Sequence, residues 1–261
     1  MNQPIVHMEG VSKNYGAMHA LTDVNLSVFP GEVTCVLGDN GAGKSTLIKI
    51  MSGLHRHDAG TMKVNGSEVH FTSPRDSLNA GIATVYQDLA VVDLMEVWRN
   101  FFLGSELRKS LPILRPLDVD AMRKITDEQL RKFGIELPNV NRKVGTLSGG
   151  QRQCVAIARA IYFGAKVLIL DEPTAALGVK QSSVVLKYVD MAREAGVGVV
   201  FITHNPQHAY LIGDHFIVLK LGHMQLDARR SAITMETLIS EMAGGAELAE
   251  LGRELRHGRN S

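Results

Sequence analysis

The residues Gly38-Asp39-Asn40-Gly41-Ala42-Gly43-Lys44-Ser45 have the make-up of a phosphate cradle and satisfy G-x-x-x-x-G-K-[ST] at every constrained position. Glycines at 38, 41 and 43 tolerate backbone angles closed to other residues, so successive N–H groups turn inward toward an anion. Lys44 adds a full positive charge for β- and γ-phosphates, and the Ser45 hydroxyl suits a Mg²⁺ ligand. The candidate nucleotide contacts run from Gly38 through Thr46. Such a loop needs a strand before it and a helix after it. Glu32–Leu37 is short, apolar and β-branched, which predicts a buried strand. Ser45–Ser52 has helical composition and closes at Gly53, a C-terminal cap. The helix start turns its free N–H groups and the positive end of its dipole toward the same spot. Binding of a nucleoside triphosphate is the expectation.

A second glycine knot, Leu147-Ser148-Gly149-Gly150-Gln151, opens a helical run over Arg152–Tyr162. Ser148 is a good capping residue, and the glycines let a phosphate approach the backbone. This knot has no lysine of its own and lies about a hundred residues downstream. It makes sense if it serves a nucleotide held by a second subunit. The apolar strand Val167–Leu170 ends in Asp171 and Glu172. Paired carboxylates in a loop are usually solvated charge; at the end of a buried strand in a phosphate-loop protein, Asp171 fits a Mg²⁺ ligand and Glu172 fits the group that orients and polarises the attacking water. His204 follows another apolar strand, Val199–Thr203, and is expected at the same sheet edge, in contact with the γ-phosphate. Gln87, after the strand Ile82–Tyr86, fits a Mg²⁺ or water ligand, although a single glutamine at such a place is more often a polar loop residue. Tyr15, just before Gly16, either stacks on adenine, worth ~1–3 kcal/mol, or simply packs.

The elements that must position these groups alternate. Residues 5–30 read as antiparallel strands with turns at Gly10 and Gly16, and 60–66 as a hairpin. Leu94–Phe102 and Val119–Phe133 have helical spacing, with the proline-held loop Leu111–Pro116 between them. From Val167 the pattern returns to strand, helix over Gln181–Ala195, and strand, ending in short strands at Phe216–Leu219 and Met224–Leu226. A net charge of +1 argues against dependence on nucleic acid. No apolar run approaches the ~20 residues that cross a bilayer. Met1-Asn2-Gln3-Pro4 has no basic cap followed by an apolar segment, so no secretory signal is expected. Cys35 and Cys154 are expected to be buried free thiols.

Together these residues resemble the ATP-binding subunit of an ABC transporter, over about residues 5–227. The resemblance pairs the family's phosphate loop with Gly38–Ser45, its Q-loop with Gln87, its signature motif with Leu147–Gln151 and its Walker B strand with Val167–Asp171. It pairs the catalytic glutamate with Glu172, the switch histidine with His204 and the adenine-stacking aromatic with Tyr15. Within the family, 38–49, 85–89 and 175–179 are similar to the monosaccharide-uptake group, in its form with one ATPase half. Gly178 stands where the D-loop usually ends in aspartate, as is common in that group.

The resemblance implies an α/β fold: a P-loop NTPase (RecA-like) core with an N-terminal antiparallel β subdomain (5–30) and an inserted helical subdomain (93–145). Residues 1–244 would form one ATPase domain, followed by a charged tail, 245–261, expected to fray. It also implies ATP and Mg²⁺ as ligands, and a head-to-tail pair in which each ATP lies between the Lys44 loop of one copy and the Ser148-Gly149-Gly150 helix start of the other. The further partners implied are transmembrane permease subunits and, indirectly, a periplasmic sugar-binding protein, with the chain peripheral on the cytoplasmic face of the membrane. The alternative is a soluble ABC-type ATPase acting on nucleic acid or ribosomes, which the near-neutral charge weighs against. A small-molecule phosphate-loop kinase leaves Leu147–Gln151 unexplained.

Overall fold

Two hydrophobic periodicities become two sheets in the computed structural model, which describes residues 3–110, 115–135, 137–175 and 177–243. In chain order the first half comprises β1 (Val6–Tyr15), β2 (Met18–Val28), β3 (Val33–Leu37), α1 (Lys44–Met51), β4 (Ala59–Val64), β5 (Ser67–Glu68), α2 (Pro74–Asn79) and β6 (Ile82–Val85). The second half comprises α3 (Val97–Phe102), α4 (Val119–Lys132), α5 (Gly149–Tyr162), β7 (Val167–Asp171), α6 (Val179–Glu194), β8 (Gly198–Thr203), α7 (Pro206–Ile212), β9 (His215–Lys220), β10 (His223–Arg229) and α8 (Met235–Met242). The tail 245–261 and Leu111–Leu114 of the proline-held loop lie outside the described residues.

The amphipathic strands form an antiparallel sheet in the order β2-β1-β4-β5. Gly16 makes the expected turn between β1 and β2, with φ 60°. Gly10 does not: it is a left-handed bulge inside one continuous β1, where the register with β2 shifts between Met8 and Val11. Its N–H bonds to Asn25 Oδ1 at 2.8 Å, and Gly60 of β4 approaches so closely that a Cβ there would lie 2.4 Å from Gly10 O. A bulge bends the strand without ending it.

The second sheet has the order β10-β9-β3-β8-β7-β6, parallel except for the β9–β10 hairpin. Strands covered on both faces read as unbroken apolar runs, and β8 is buried along its whole length. Alternate residues serve opposite cores. Val36, Ile169, Val200 and Ile217 pack with α1 and the antiparallel sheet; Leu37, Leu168, Phe201 and Phe216 pack with the helical side, α5 and α6 included. Cys35 and Cys154 are free and buried there, and burial pushes both thiols up.

Helix α3 starts at Val97 rather than Leu94. Met95 N bonds to Val92 O in a turn, Glu96 bridges to Lys143, and Leu94 is left 77% exposed. The rings of Phe101, Phe102, Tyr162 and Phe163 then lock α3 to the end of α5, with centroids 4.9 to 6.2 Å apart. Among the described residues no helix is long and apolar enough to cross a membrane.

Candidate active site

Register decides what meets at the carboxyl edge of the parallel sheet. Leu37 of β3 lies opposite Thr203 of β8, and Ile202 lies opposite Asp171 of β7. The phosphate loop, the acidic pair and His204 therefore leave adjacent strands side by side, at the edge where α/β sheets present their sites.

The loop is shaped by contacts that admit no side chain. Gly38 has φ 147°, and a Cβ there would sit 2.3 Å from the Leu219 carbonyl oxygen of β9. Gly43 has φ 107°, and its Cβ would meet Ala20 O and Leu21 Cδ2, each at 2.7 Å. No side chain caps α1 at Gly43, so the first-turn amides remain available to an anion. Lys44 is buried, and its ammonium donates to Gly38 O at 2.6 Å and Asp39 O at 3.0 Å. Burial lowers its pKa from the usual lysine value, opposed by the negative charges of Glu172, Asp39 and Asp171. Asp39, Asn40, Gly41 and Ser45 are exposed, Ala42 is buried and Thr46 is half-buried.

Asp171 is the mirror case. Burial raises its pKa, the neighbouring Glu172 raises it further, and only Lys44 opposes them. Glu172 adopts φ 48°, a left-handed conformation that costs on the order of 1–3 kcal/mol unless its surroundings over-determine it. They do: Glu172 N donates to Ile202 O at 2.9 Å, Thr203 Oγ1 donates to Oε2 at 3.4 Å, and His204 Nδ1 donates to Oε1 at 2.8 Å. The imidazole of His204 is otherwise exposed, 60% of its side chain facing solvent, while Glu172 is mostly covered.

Gln87 is exposed and lines a cleft of about 490 Å³ with Glu172, Gly149, Gln153 and Gln181. No residue of 38–45 lines that cleft, so Glu172 is the group common to it and to the phosphate-loop edge. Ser148 caps α5: its Oγ accepts from Gln151 N at 3.3 Å, while Gln151 Oε1 accepts from Ser148 N at 3.0 Å. Gln151 thus spends its side chain on the capping box. The two glycines of this knot also answer to packing within the chain. A Cβ at Gly149 would lie 2.8 Å from Leu177 Cδ2, and one at Gly150 would lie 3.3 Å from Gln181 Cβ. Tyr15 is 37% exposed, packs edge-on against His55 at 5.6 Å and has the Lys13 ammonium 5.6 Å from its ring.

Sequence reasoning passed over Thr203, which bonds to Glu172, and Thr174, Asn205 and His208, which are joined to one another and to Thr203 by hydrogen bonds and by the chain after Glu172. The one available signal was that His208 stands a helical turn beyond His204.

The profile of the ABC transporter family matches residues 21–175, more than half of the chain. The chain belongs to the ABC transporter family. Among curated proteins, it is 41% identical over 249 residues to the fructose import ATP-binding protein of Rhizobium meliloti, covering 94% of this chain and 96% of that one. It is 39% identical to the xylose/arabinose import ATP-binding protein of Sulfolobus acidocaldarius, covering 93% and 95% respectively. It is 33% identical to the ribose import ATP-binding protein of Bacillus subtilis, of which it spans 49%. Solved ABC cassettes share the fold. A nucleotide-free cassette superposes with TM-score 0.78 at 24% identity, covering 93% of this chain and 96% of that one. A dimeric cassette in a post-hydrolysis state with ADP and Pi superposes with TM-score 0.73 at 27% identity, covering 87% of this chain and 100% of that one. The resemblance read from the motifs, and the α/β phosphate-loop fold it implied, are borne out.

Proposed function

We propose that this protein is the ATP-binding and ATP-hydrolysing subunit of a monosaccharide importer, acting as a head-to-tail pair of identical chains. The observation that carries the hydrolytic reading is the shared edge, where the loop that carries Lys44, the acidic pair Asp171 and Glu172, and His204 leave adjacent strands and Glu172 is bonded to His204. The sugar reading rests on the relatives, named for fructose, xylose/arabinose and ribose import.

In this reading the amides from Gly38 to Thr46 wrap the phosphates, Lys44 exchanges two loop carbonyls for phosphate oxygens, and Tyr15 stacks on adenine. Glu172 orients water and accepts its proton, with His204 holding that carboxylate and reaching the γ-phosphate. Ser45, Gln87 and Asp171 offer hydroxyl, carboxamide and carboxylate oxygens, a hard donor set that fits Mg²⁺. When bound, Mg²⁺ supplies charge neutralisation at the phosphate oxygens. Ser148, Gly149, Gly150 and Gln151 of the second copy close over the triphosphate, and loss of the γ-phosphate releases the pair.

A groove of about 610 Å³ lies between the β6 edge and the end of α5, lined by Ala83, Tyr86, Leu89, Val91, Arg159 and Phe163. Permease segments dock there, beside Gln87, and a periplasmic sugar-binding protein feeds the permease. The subunit lies on the cytoplasmic face of the membrane.

Glu172→Gln is expected to keep ATP binding, abolish turnover and accumulate an ATP-dependent dimer on size exclusion. Normal turnover by this variant removes Glu172 from the role. Co-purification of permease segments supports transport, whereas nucleic acid or ribosomes in the preparation favour the soluble alternative.

A further inference from the structure

We propose that His208 and Thr174 are positioning residues for Glu172, acting through a closed hydrogen-bonded ring that ties the loop after β7 to the start of α7. The inference rests on the reading of Glu172 as the group that orients the attacking water.

The ring can be followed atom by atom. Glu172 Oε2 accepts from Thr203 Oγ1 at 3.4 Å, and Thr203 Oγ1 accepts from Asn205 N at 3.0 Å. Asn205 Oδ1 accepts from His208 N at 3.0 Å, which caps α7. His208 Nδ1 lies 2.9 Å from Thr174 Oγ1, and the main chain through Pro173 leads back to Glu172. At Thr203 one link sets the direction of the next. Because the Thr203 oxygen receives the Asn205 N–H, the Thr203 proton is left for the glutamate. Burial lowers the pKa of His208 from the usual histidine value, which favours the neutral ring, and Nδ1 of that ring shares one proton with the Thr174 hydroxyl in whichever direction the tautomer sets. Thr174 and Thr203 are 5% and 1% exposed, so water competes poorly for either hydroxyl.

The ring has a task that matches its position. Glu172 sits at φ 48°, and such a conformation persists only where neighbours hold it from several sides. Ile202 O and His204 hold it on one side; the Thr174–His208 bond anchors the chain two residues further on. Releasing that anchor lets the segment relax and moves the carboxylate away from its working position, while every residue of 38–46 stays in place.

The test measures kcat and KM for ATP on the full chain carrying Thr174→Val, Thr174→Ser, His208→Leu or both Thr174→Val and His208→Leu. Thr174→Val and His208→Leu should each lower kcat about tenfold at near-constant KM, the scale of a small misplacement of a catalytic group. The double variant should be no slower than either single, since both break one link, and Thr174→Ser should restore the rate. Additive losses, a change confined to KM, or no rescue by serine overturns the proposal. If His208→Leu does not fold, the near-isosteric Thr174→Val and its serine control decide alone. Amide exchange at Ala175, whose N–H bonds to Glu172 O at 3.0 Å, should quicken in Thr174→Val. Unchanged exchange overturns the ring whatever the turnover. A wild-type chain that fails to hydrolyse ATP overturns the functional reading and leaves the ring to the exchange result.

Discussion

Gly38→Ala and Gly41→Ala add the same methyl group to the same loop, and the structure assigns them different costs. At Gly41 the new Cβ meets nothing within 4 Å, so the cost is that of holding alanine at φ 85°. A Cβ in the left-handed region costs about 1–2 kcal/mol. At Gly38 the backbone is further from alanine's range, with φ 147°, and the Cβ would lie 2.3 Å from Leu219 O. That atom belongs to β9, which is paired with β3 through Leu37 and Val218, so it yields only if the strand under the loop shifts. Overpacking of that kind adds about 1–3 kcal/mol, for a total of about 2–5 kcal/mol. Urea unfolding of the full chain, with slopes unchanged, should place Gly41→Ala about 1–2 kcal/mol and Gly38→Ala about 2–5 kcal/mol below the parent. Equal losses at the two positions would refute the reasoning, because both positions change by one methyl and differ only in backbone angle and neighbours.

Ser148→Asp keeps a side chain that caps as well as serine, so stability should stay within about 0.5 kcal/mol, yet it places a negative charge where the partner's triphosphate is proposed to sit. The ATP-dependent dimer of the Glu172→Gln background should disappear on size exclusion; a dimer that persists removes Ser148 from the interface. Gly149→Ala displaces only the end of the Leu177 side chain, so unfolding should stay within about 1 kcal/mol of the parent while ATPase rate falls. Full activity in that variant shows that the Gly149–Leu177 contact is idle. Phe101→Ala removes a fully buried ring from the α3–α5 cluster and should cost about 3–5 kcal/mol by urea midpoint, a smaller loss meaning that the cluster collapses to fill the gap. For Asp171 the sign follows from its raised pKa. The native state holds a proton that the unfolded state has released, so wild-type stability falls as pH rises from 3.8 toward the raised native value. Asp171→Asn lacks this loss, so its stability relative to the parent should climb as pH rises through that window, in urea midpoints; a constant difference would show that Asp171 is not destabilised in the fold.

The phosphate loop was legible because strand, glycines and helix are contiguous, and each imposes its requirement on residues within a turn of the others. The acidic pair and His204 were legible for a related reason: each ends an apolar run long enough to be a buried strand, and buried parallel strands share an edge. What escaped was everything fixed by contact across the chain. Thr174 and His208 are 34 residues apart, and neither type announces a partner. Gly10 and Gly16 look alike as punctuation, yet one is a bulge forced by the approach of Gly60 and the other a turn. The glycines at 149 and 150 were readable as room for a phosphate, whereas the room they make is already touched by Leu177 and Gln181.

That last contact bears on how two distant motifs act together. Leu177 lies five residues after Glu172, on the loop whose first part is tied to α7 through Thr174 and His208. Gly149 begins the helix proposed to close on the partner's nucleotide, and it rests on that same Leu177 side chain with no space for a methyl between them. In the proposed head-to-tail pair, a shift of the α5 start against the second copy would press on the segment that carries Glu172, and loss of that contact would relax it. Such coupling would need no long path, because the start of α5 and the loop after Glu172 come together at Leu177. It also gives Gly178 a reading without an acidic side chain. The pressure passes through Leu177 packing, so the residue that follows need only let the chain turn into α6, whose N-cap it is.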